Sequence, residues 1–195
     1  MSRKIITFCV TILLILTCSY TVFAEEFDQS KTGSISVTLI EKKQNEPIVG
    51  AELSVYYVAT AILDADGNLI YDYTRNFEQV DTAIDDKSLA AKLDEFVSQH
   101  SIPSTKMATN DEGTALCNQL PLGLYFVKQT GEVEGFAPCT SFLVTVPNEK
   151  NGEYVYEVNA SPKTEVARLT SITIKKVWNT DASTNAADSV TVQLL

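Results

Sequence analysis

The sequence predicts a mainly β chain: one β-sandwich with a single inserted helix, then the opening strands of a second sandwich. Three observations predict it. Short runs of alternating apolar residues recur through residues 33–160, the period-two pattern of half-buried strands. Clusters of Gly, Pro, Asn and Asp punctuate those runs, as turns require. One stretch, residues 85–100, changes to helical spacing.

The N-terminus sets the compartment. Ser2-Arg3-Lys4 is basic, Ile5 to Leu16 is almost wholly apolar, and Val22-Phe-Ala24 offers small or branched residues where a signal peptidase reads. Residues 1–24 therefore read as a secretory signal peptide cleaved after Ala24. The apolar run is short for a membrane span and an acidic segment follows it. Leu16-Thr17 before Cys18 is a poor lipidation signal. The chain of 195 residues carries a formal charge of −10, which argues against nucleic acid or an anionic membrane surface as partner. Of four cysteines, the mature chain keeps Cys117 and Cys139. Export permits a disulfide between them. Two separate buried thiols are an equal alternative.

Residues 25–32 are polar and read as a loose lead-in. Gly33 to Ile40 alternates, with Ile35, Val37 and Leu39 on one face. Asn45 to Gly50 is a turn segment. Ala51 to Val58 alternates again and buries Ala51, Leu53, Val55 and, as a candidate, Tyr57. Asp64-Ala-Asp-Gly-Asn68 reads as a hairpin turn between 60–63 and 69–73. Asp64, Asp66, Asn68 and Asp72 have the composition of a calcium loop without its full spacing or closing glutamate, so the hairpin is preferred.

The helix over 85–100 places Leu89, Leu93, Phe96 and Val97 on one stripe. Aspartates at its start favour the dipole and can cap, and Pro103 lies past its end. As an insertion it is expected on an end or edge of the sandwich. Strands return at 114–117, in the turn-then-strand 120–130, at 141–146 and at 154–160; residues 161–169 are a linker. His100 is the only histidine, so a catalytic triad or histidine metal site has little support. No cofactor is expected.

Read in order, Gly33-Ser-Ile-Ser-Val37, Pro47-Ile-Val-Gly-Ala-Glu-Leu53, Asp111-Glu-Gly113 and Leu120-Pro-Leu-Gly-Leu-Tyr-Phe-Val127 resemble the strand entries and Gly-x-Tyr signature of Cna B-type or SpaA-type pilin domains. A second resemblance follows. Ile172, Ile174, Lys176 and Trp178 share one face of a strand. A lysine on that buried face must deprotonate, find a partner or lose its charge in a covalent bond. With Asp188-Ser-Val-Thr-Val192 downstream, this looks like the opening of another Cna B-type domain. The resemblance implies immunoglobulin-like sandwiches over 33–165 and, cut short at Leu195, over 166–195. The chain then reads as a fragment of a longer protein.

The resemblance also implies chemistry. Family members join a first-strand lysine to a last-strand asparagine as an amide, with a central glutamate moving protons; both pKa values must shift in an apolar core. Here Leu39 stands about where the lysine should be and Gln129 where the glutamate should be. No internal crosslink is expected in the first domain, and Asn159 reads as a hydrogen-bonded residue at a strand end. Lys176 remains the candidate of the second domain, its partners beyond Leu195; the bland alternative is a lysine that snorkels outward.

Tyr156-Glu-Val-Asn-Ala-Ser-Pro-Lys163 is similar to the pilin motif, whose lysine accepts the sorting-signal threonine of the next subunit through sortase. Lys163 is the matching residue, and Ser161 replaces the motif's tyrosine. An ordinary domain-boundary linker is the preferred reading. The implied function is a structural subunit or stalk of a secreted, cell-wall-associated surface protein, pilin-like or adhesin, and not an enzyme. The alternative is an adhesin module that binds a host or matrix ligand with its helix and the 60–80 hairpin, where Tyr71, Tyr73 and Phe77 lie.

Overall fold

A computed structural model describes residues 27–41 and 43–162. The expected signal peptide with Ala24, the candidate Lys163, and the expected second domain with Lys176 lie outside the described residues. The strands are β1 (Gly33–Thr38), β2 (Glu52–Leu63), β3 (Leu69–Tyr73), β4 (Thr105–Ala108), β5 (Thr114–Leu120), β6 (Gly123–Gln129), β7 (Phe142–Val146), β8 (Asn148–Lys150), β9 (Glu153–Val155) and β10 (Glu157–Ala160). One helix, α1 (Leu89–Gln99), falls between β3 and β4.

Two sheets face each other. The smaller has the order β10-β1-β5; the larger runs β3-β2-β6-β7, with β4 also paired to β2. Between them lies a core of Ile35, Val37 and Leu39 from the β1 side, Ala115 and Cys117 from β5, and Val158 from β10. Leu53, Val55, Tyr125, Val127, Val144 and Val146 close it from the larger sheet. The alternation read from the sequence is the alternation that packs.

The larger sheet is buried on its other face as well. Tyr56, Val58, Leu124 and Phe126 point away from the first core and join Phe77, Val80, Leu89 and Leu93 in a second one. The helix therefore covers a face of the sheet, not an end or edge of the sandwich. The physical reason is that β2 and β6 are apolar on both sides, which only a third layer can satisfy. Lys128 fixes the layer at its rim, 3.1 Å from Asp94 Oδ1 and 2.9 Å from Ser98 Oγ on the helix.

Other details differ from the sequence reading. The helix starts at Leu89, and Asp85 and Asp86 precede it. The Asp86 carboxylate instead accepts the Ser88 N–H and hydroxyl, an Asx-type turn that competes with helix. Residues 52–63 form one 12-residue strand with an irregularity between Tyr57 and Ala59. Residues 105–108, given no element in the sequence reading, pair with β2. The run 154–160 breaks at Tyr156 into a β8–β9 hairpin and the separate strand β10.

The Gly-x-Tyr signature now has a cause. A Cβ at Gly123 would collide with the Ala59 carbonyl oxygen and come 2.5 Å from the Tyr57 ring. β6 thus crosses the irregular stretch of β2 at a distance that glycine alone permits. Two residues on, Tyr125 is 1% exposed and its hydroxyl donates to the Pro121 carbonyl. The expected result for Gly123→Ala is a loss of about 1–3 kcal/mol through overpacking. Urea denaturation of the mature chain checks this. Leu116→Ala, at a side chain 55% exposed, should stay within about 0.5 kcal/mol of the native chain.

Candidate functional site

The first and last strands of the domain lie side by side. β1 pairs with β10 in parallel: Ser34 with Glu157, Ile35 with Val158, Ser36 with Asn159, Val37 with Ala160. The Ser34 N–H extends the ladder one step, donating to the Tyr156 carbonyl at 2.9 Å. Ile35, Val37 and Val158 turn into the core, so packing fixes the register of this seam. The chain enters at Gly33 and leaves at Ala160. Because the strands are parallel, entry and exit sit at opposite ends of the seam.

The entry end is tightly built. A Cβ on Gly33 would overlap Val146 Cγ1 and the Tyr156 carbonyl oxygen. The segment before it is not a loose lead-in. Asp28 organises it as a turn, its carboxylate accepting the Ser30 N–H and hydroxyl at 2.9 and 2.6 Å. Those bonds hold the Asp28 carboxyl below its ordinary pKa. The Asp28 N–H donates to Tyr156 Oη at 2.9 Å. Lys31 Nζ lies over the Tyr156 ring, 4.5 Å from its centroid, and Phe27 packs edge-on against Tyr154 at 5.6 Å. The tyrosines at the β9–β10 break capture the incoming chain.

At the exit end the outer edges of β7 and β10 flank a groove of about 710 Å³. Phe142, Val144, Val158 and Ala160 line it, and Ser161 stands at the point where the chain leaves β10.

Leu39 is fully buried and apolar. Gln129 is on the inner face of β6, and both ends of its amide are used. Nε2 donates to the Gly131 carbonyl at 2.8 Å, and Oε1 accepts the Cys139 N–H at 2.8 Å. It clips the two ends of the 130–139 loop together. A carboxylate has no proton for the first of these bonds. Asn159 is exposed on the outer face of the small sheet, while its neighbour Val158 is the residue that points inward.

Cys117 and Cys139 are both buried and stand as free thiols in this structure. Burial raises the Cys117 pKa and pushes Cys139 up to about 11. The aromatic residues of the 60–80 region serve the interior. Phe77 is fully buried, Tyr73 donates from its hydroxyl to the Thr82 carbonyl at 2.7 Å, and Tyr71 is half-buried. Asp64 spends its carboxylate on its own turn, accepting the Asp66 and Asn68 N–H groups at 2.9 and 2.8 Å.

No protein-family model and no curated protein matches the chain. Solved structures match part of the chain. The full-length major pilin SpaD from Corynebacterium diphtheriae is 20% identical over 73% of this chain and 32% of its own, with a TM-score of 0.49. The shaft pilin SpaA from Lactobacillus rhamnosus GG is 15% identical over 72% of this chain and 51% of its own, with a TM-score of 0.44. The group B streptococcus pilus 2b backbone protein is 13% identical over 71% and 42%, with a TM-score of 0.41. This chain spans about a third to a half of the length of those proteins.

Two outcomes follow for the interior groups. A buried thiol with a raised pKa holds its proton longer when folded than when unfolded. Stability is then fully present below the unfolded thiol value near 9.0 and falls as pH rises towards about 11. Thermal unfolding between pH 8 and 11 should show that decline, and Cys139→Ala should make it shallower, with the raised Cys117 pKa keeping part of it. For Gln129→Glu, the carboxylate loses the Gly131 bond at a cost of about 1–3 kcal/mol at neutral pH. Below about pH 4 the protonated acid donates again, so the deficit in urea denaturation should shrink there.

Proposed function

We propose that the chain carries a load-bearing, pilin-like structural module of a Gram-positive cell surface, with a structural and not a catalytic role. The observation that carries this reading is the parallel β1–β10 seam. Tension applied along the chain pulls β1 and β10 in opposite directions along their length. The ladder bonds between them run across that axis and are loaded together. A hairpin pulled from its open end would instead lose its bonds one at a time. The seam is also backed by fully buried side chains, so sliding it by one residue would bring Ser34 and Ser36 into the core.

Two further features support the pilin form of this reading. Lys163 is the residue that matches the acceptor amine of the pilin motif, two positions after Ser161 in the sequence, and Ser161 itself lines the groove between β7 and β10. A trough with a strand edge on each side suits an extended peptide, which adds by main-chain hydrogen bonding. The arriving group would be the threonine carbonyl of a neighbouring subunit's sorting signal, delivered by sortase as a thioester. The Lys163 amine would attack it, form an amide and release the enzyme's thiol. Residues 1–24 would direct export and be removed in its course.

We infer that the first domain holds without an internal amide crosslink. Leu39 offers no amine, and the Gln129 amide is engaged at both ends.

Mass spectrometry of the mature protein, with tryptic mapping of material taken from the native cell surface, tests both statements. A Lys163 peptide branched to a threonine-terminated peptide is expected. Full coverage with only unmodified Lys163 peptide would remove the polymerising role and leave a stalk. Peptides from residues 33–162 should carry their unmodified masses. A pair from this region joined with loss of ammonia, about 17 Da per amide formed from amine and carboxamide, would overturn the uncrosslinked reading.

A further inference from the structure

We propose that residues 27–32 form a tension-released latch on Tyr156, built to come off before the β1–β10 seam yields; this rests on the load-bearing reading. The geometry sets up two fastenings in series. Upstream of Gly33 no strand ladder holds the chain; it is held by side-chain packing and local contacts, with Phe27 lying against the margin of the core. Phe27 meets Tyr154, the Asp28 N–H meets Tyr156 Oη, and Lys31 covers the Tyr156 ring. Downstream of Gly33 it is held by a ladder whose residues are paired along the whole of β10.

Load entering from the N-terminus reaches the two fastenings differently. It arrives first at Phe27 and passes from contact to contact, so the strap peels. When the strap is off, the load reaches Ser34 and bears on the seam lengthwise. The Asp28 turn keeps the strap compact, with the Lys31 N–H donating to the Asp28 carbonyl at 3.2 Å. Opening it lifts Phe27 from the margin of the core and adds slack before the fully buried residues of β1 move. Six residues pulled straight give at most about 20 Å.

The latch also has a resting role. Tyr156 is the break between β9 and β10, and its carbonyl accepts the first bond of the seam from Ser34. With its ring held on one face and its hydroxyl engaged, that break is kept in the position from which β10 starts. The Lys31 side chain, which trypsin must seat, is held over that ring at the same time.

Single-molecule stretching of the full mature chain between its termini tests the inference. The expected record is a weak event lengthening the chain by no more than about 20 Å, followed by a stronger rupture that releases the domain. Tyr156→Phe keeps the ring and loses the hydroxyl, so the weak event should persist at lower force. Tyr156→Ala should abolish it. If Tyr156→Ala does not fold, Phe27→Ala should shorten and weaken the first event while leaving the second. Trypsin should cut after Lys31 at least tenfold faster in Tyr156→Ala or Tyr156→Phe than in the native chain. The latch is overturned if the native chain shows no event before the main rupture. It is also overturned if the substitutions leave both the first event and the cleavage rate unchanged. The force of the second event judges the seam separately, so failure of one reading is distinguishable from failure of the other.

Discussion

The domain depends on one apolar stripe, the inward face of β1. Ile35 and Val37 are fully buried, and β1 is the central strand of its sheet, with β10 on one side and β5 on the other. Each residue on that stripe contributes about 1.5–3 kcal/mol by leaving water. The stripe fixes the registers of two neighbours at once. β10 is a short strand whose only buried side chain is Val158, so its placement rests largely on the strand beside it. The seam, the strap at its entry and the groove at its exit are all located by that single face.

The second core answers a different constraint. β2 and β6 carry apolar side chains on both faces, and one sheet partner can cover only one of them. Helix α1 and the loop through Phe77 and Val80 supply the missing layer. The ion pair of Lys128 with Asp94 lies in partly exposed surroundings and contributes at most about 1 kcal/mol. Burial of Phe77, Leu89 and Leu93, all fully buried, holds the helix in place. The ion pair, with the Ser141 hydroxyl donating to Asp94 at 2.8 Å, orients it.

Strands with one buried face were legible because alternation writes the answer into the sequence. Ile35, Val37, Leu39, Leu53 and Val55 are all inside, as their spacing requires. The helix was legible from Leu89 and Leu93, but not its position, because a helical stripe does not say which surface it meets. Tyr56 and Val58 were the missing signal: apolar residues at the solvent positions of a strand that alternates only in part. β4 was missed because Thr105–Ala108 buries only Met107, too little periodicity to register. The strap was missed for a related reason. Its hold on the domain uses a backbone N–H, a cation over a ring and one apolar side chain, Phe27, too few to leave an apolar pattern. At the candidate site, Gln129 was legible as a departure from a motif. Its function as a clip was not, since hydrogen-bond partners ten residues away have no sequence signature.

The parallel seam also decides when the domain can come into being. Ile35 and Val158 are more than a hundred residues apart in sequence yet adjacent in the sheet, and contacts of that range are slow to form because the loop between them must first be ordered. A chain that emerges N-terminus first presents β1 long before β10 exists. Until then β1 has one open edge and an apolar face, the features that invite wrong pairing with other chains. Ser34, Ser36 and Thr38 on its outward face, and the charge carried by the chain as a whole, keep that waiting strand soluble. The domain is thus organised so that its last strand to appear is the one that completes it.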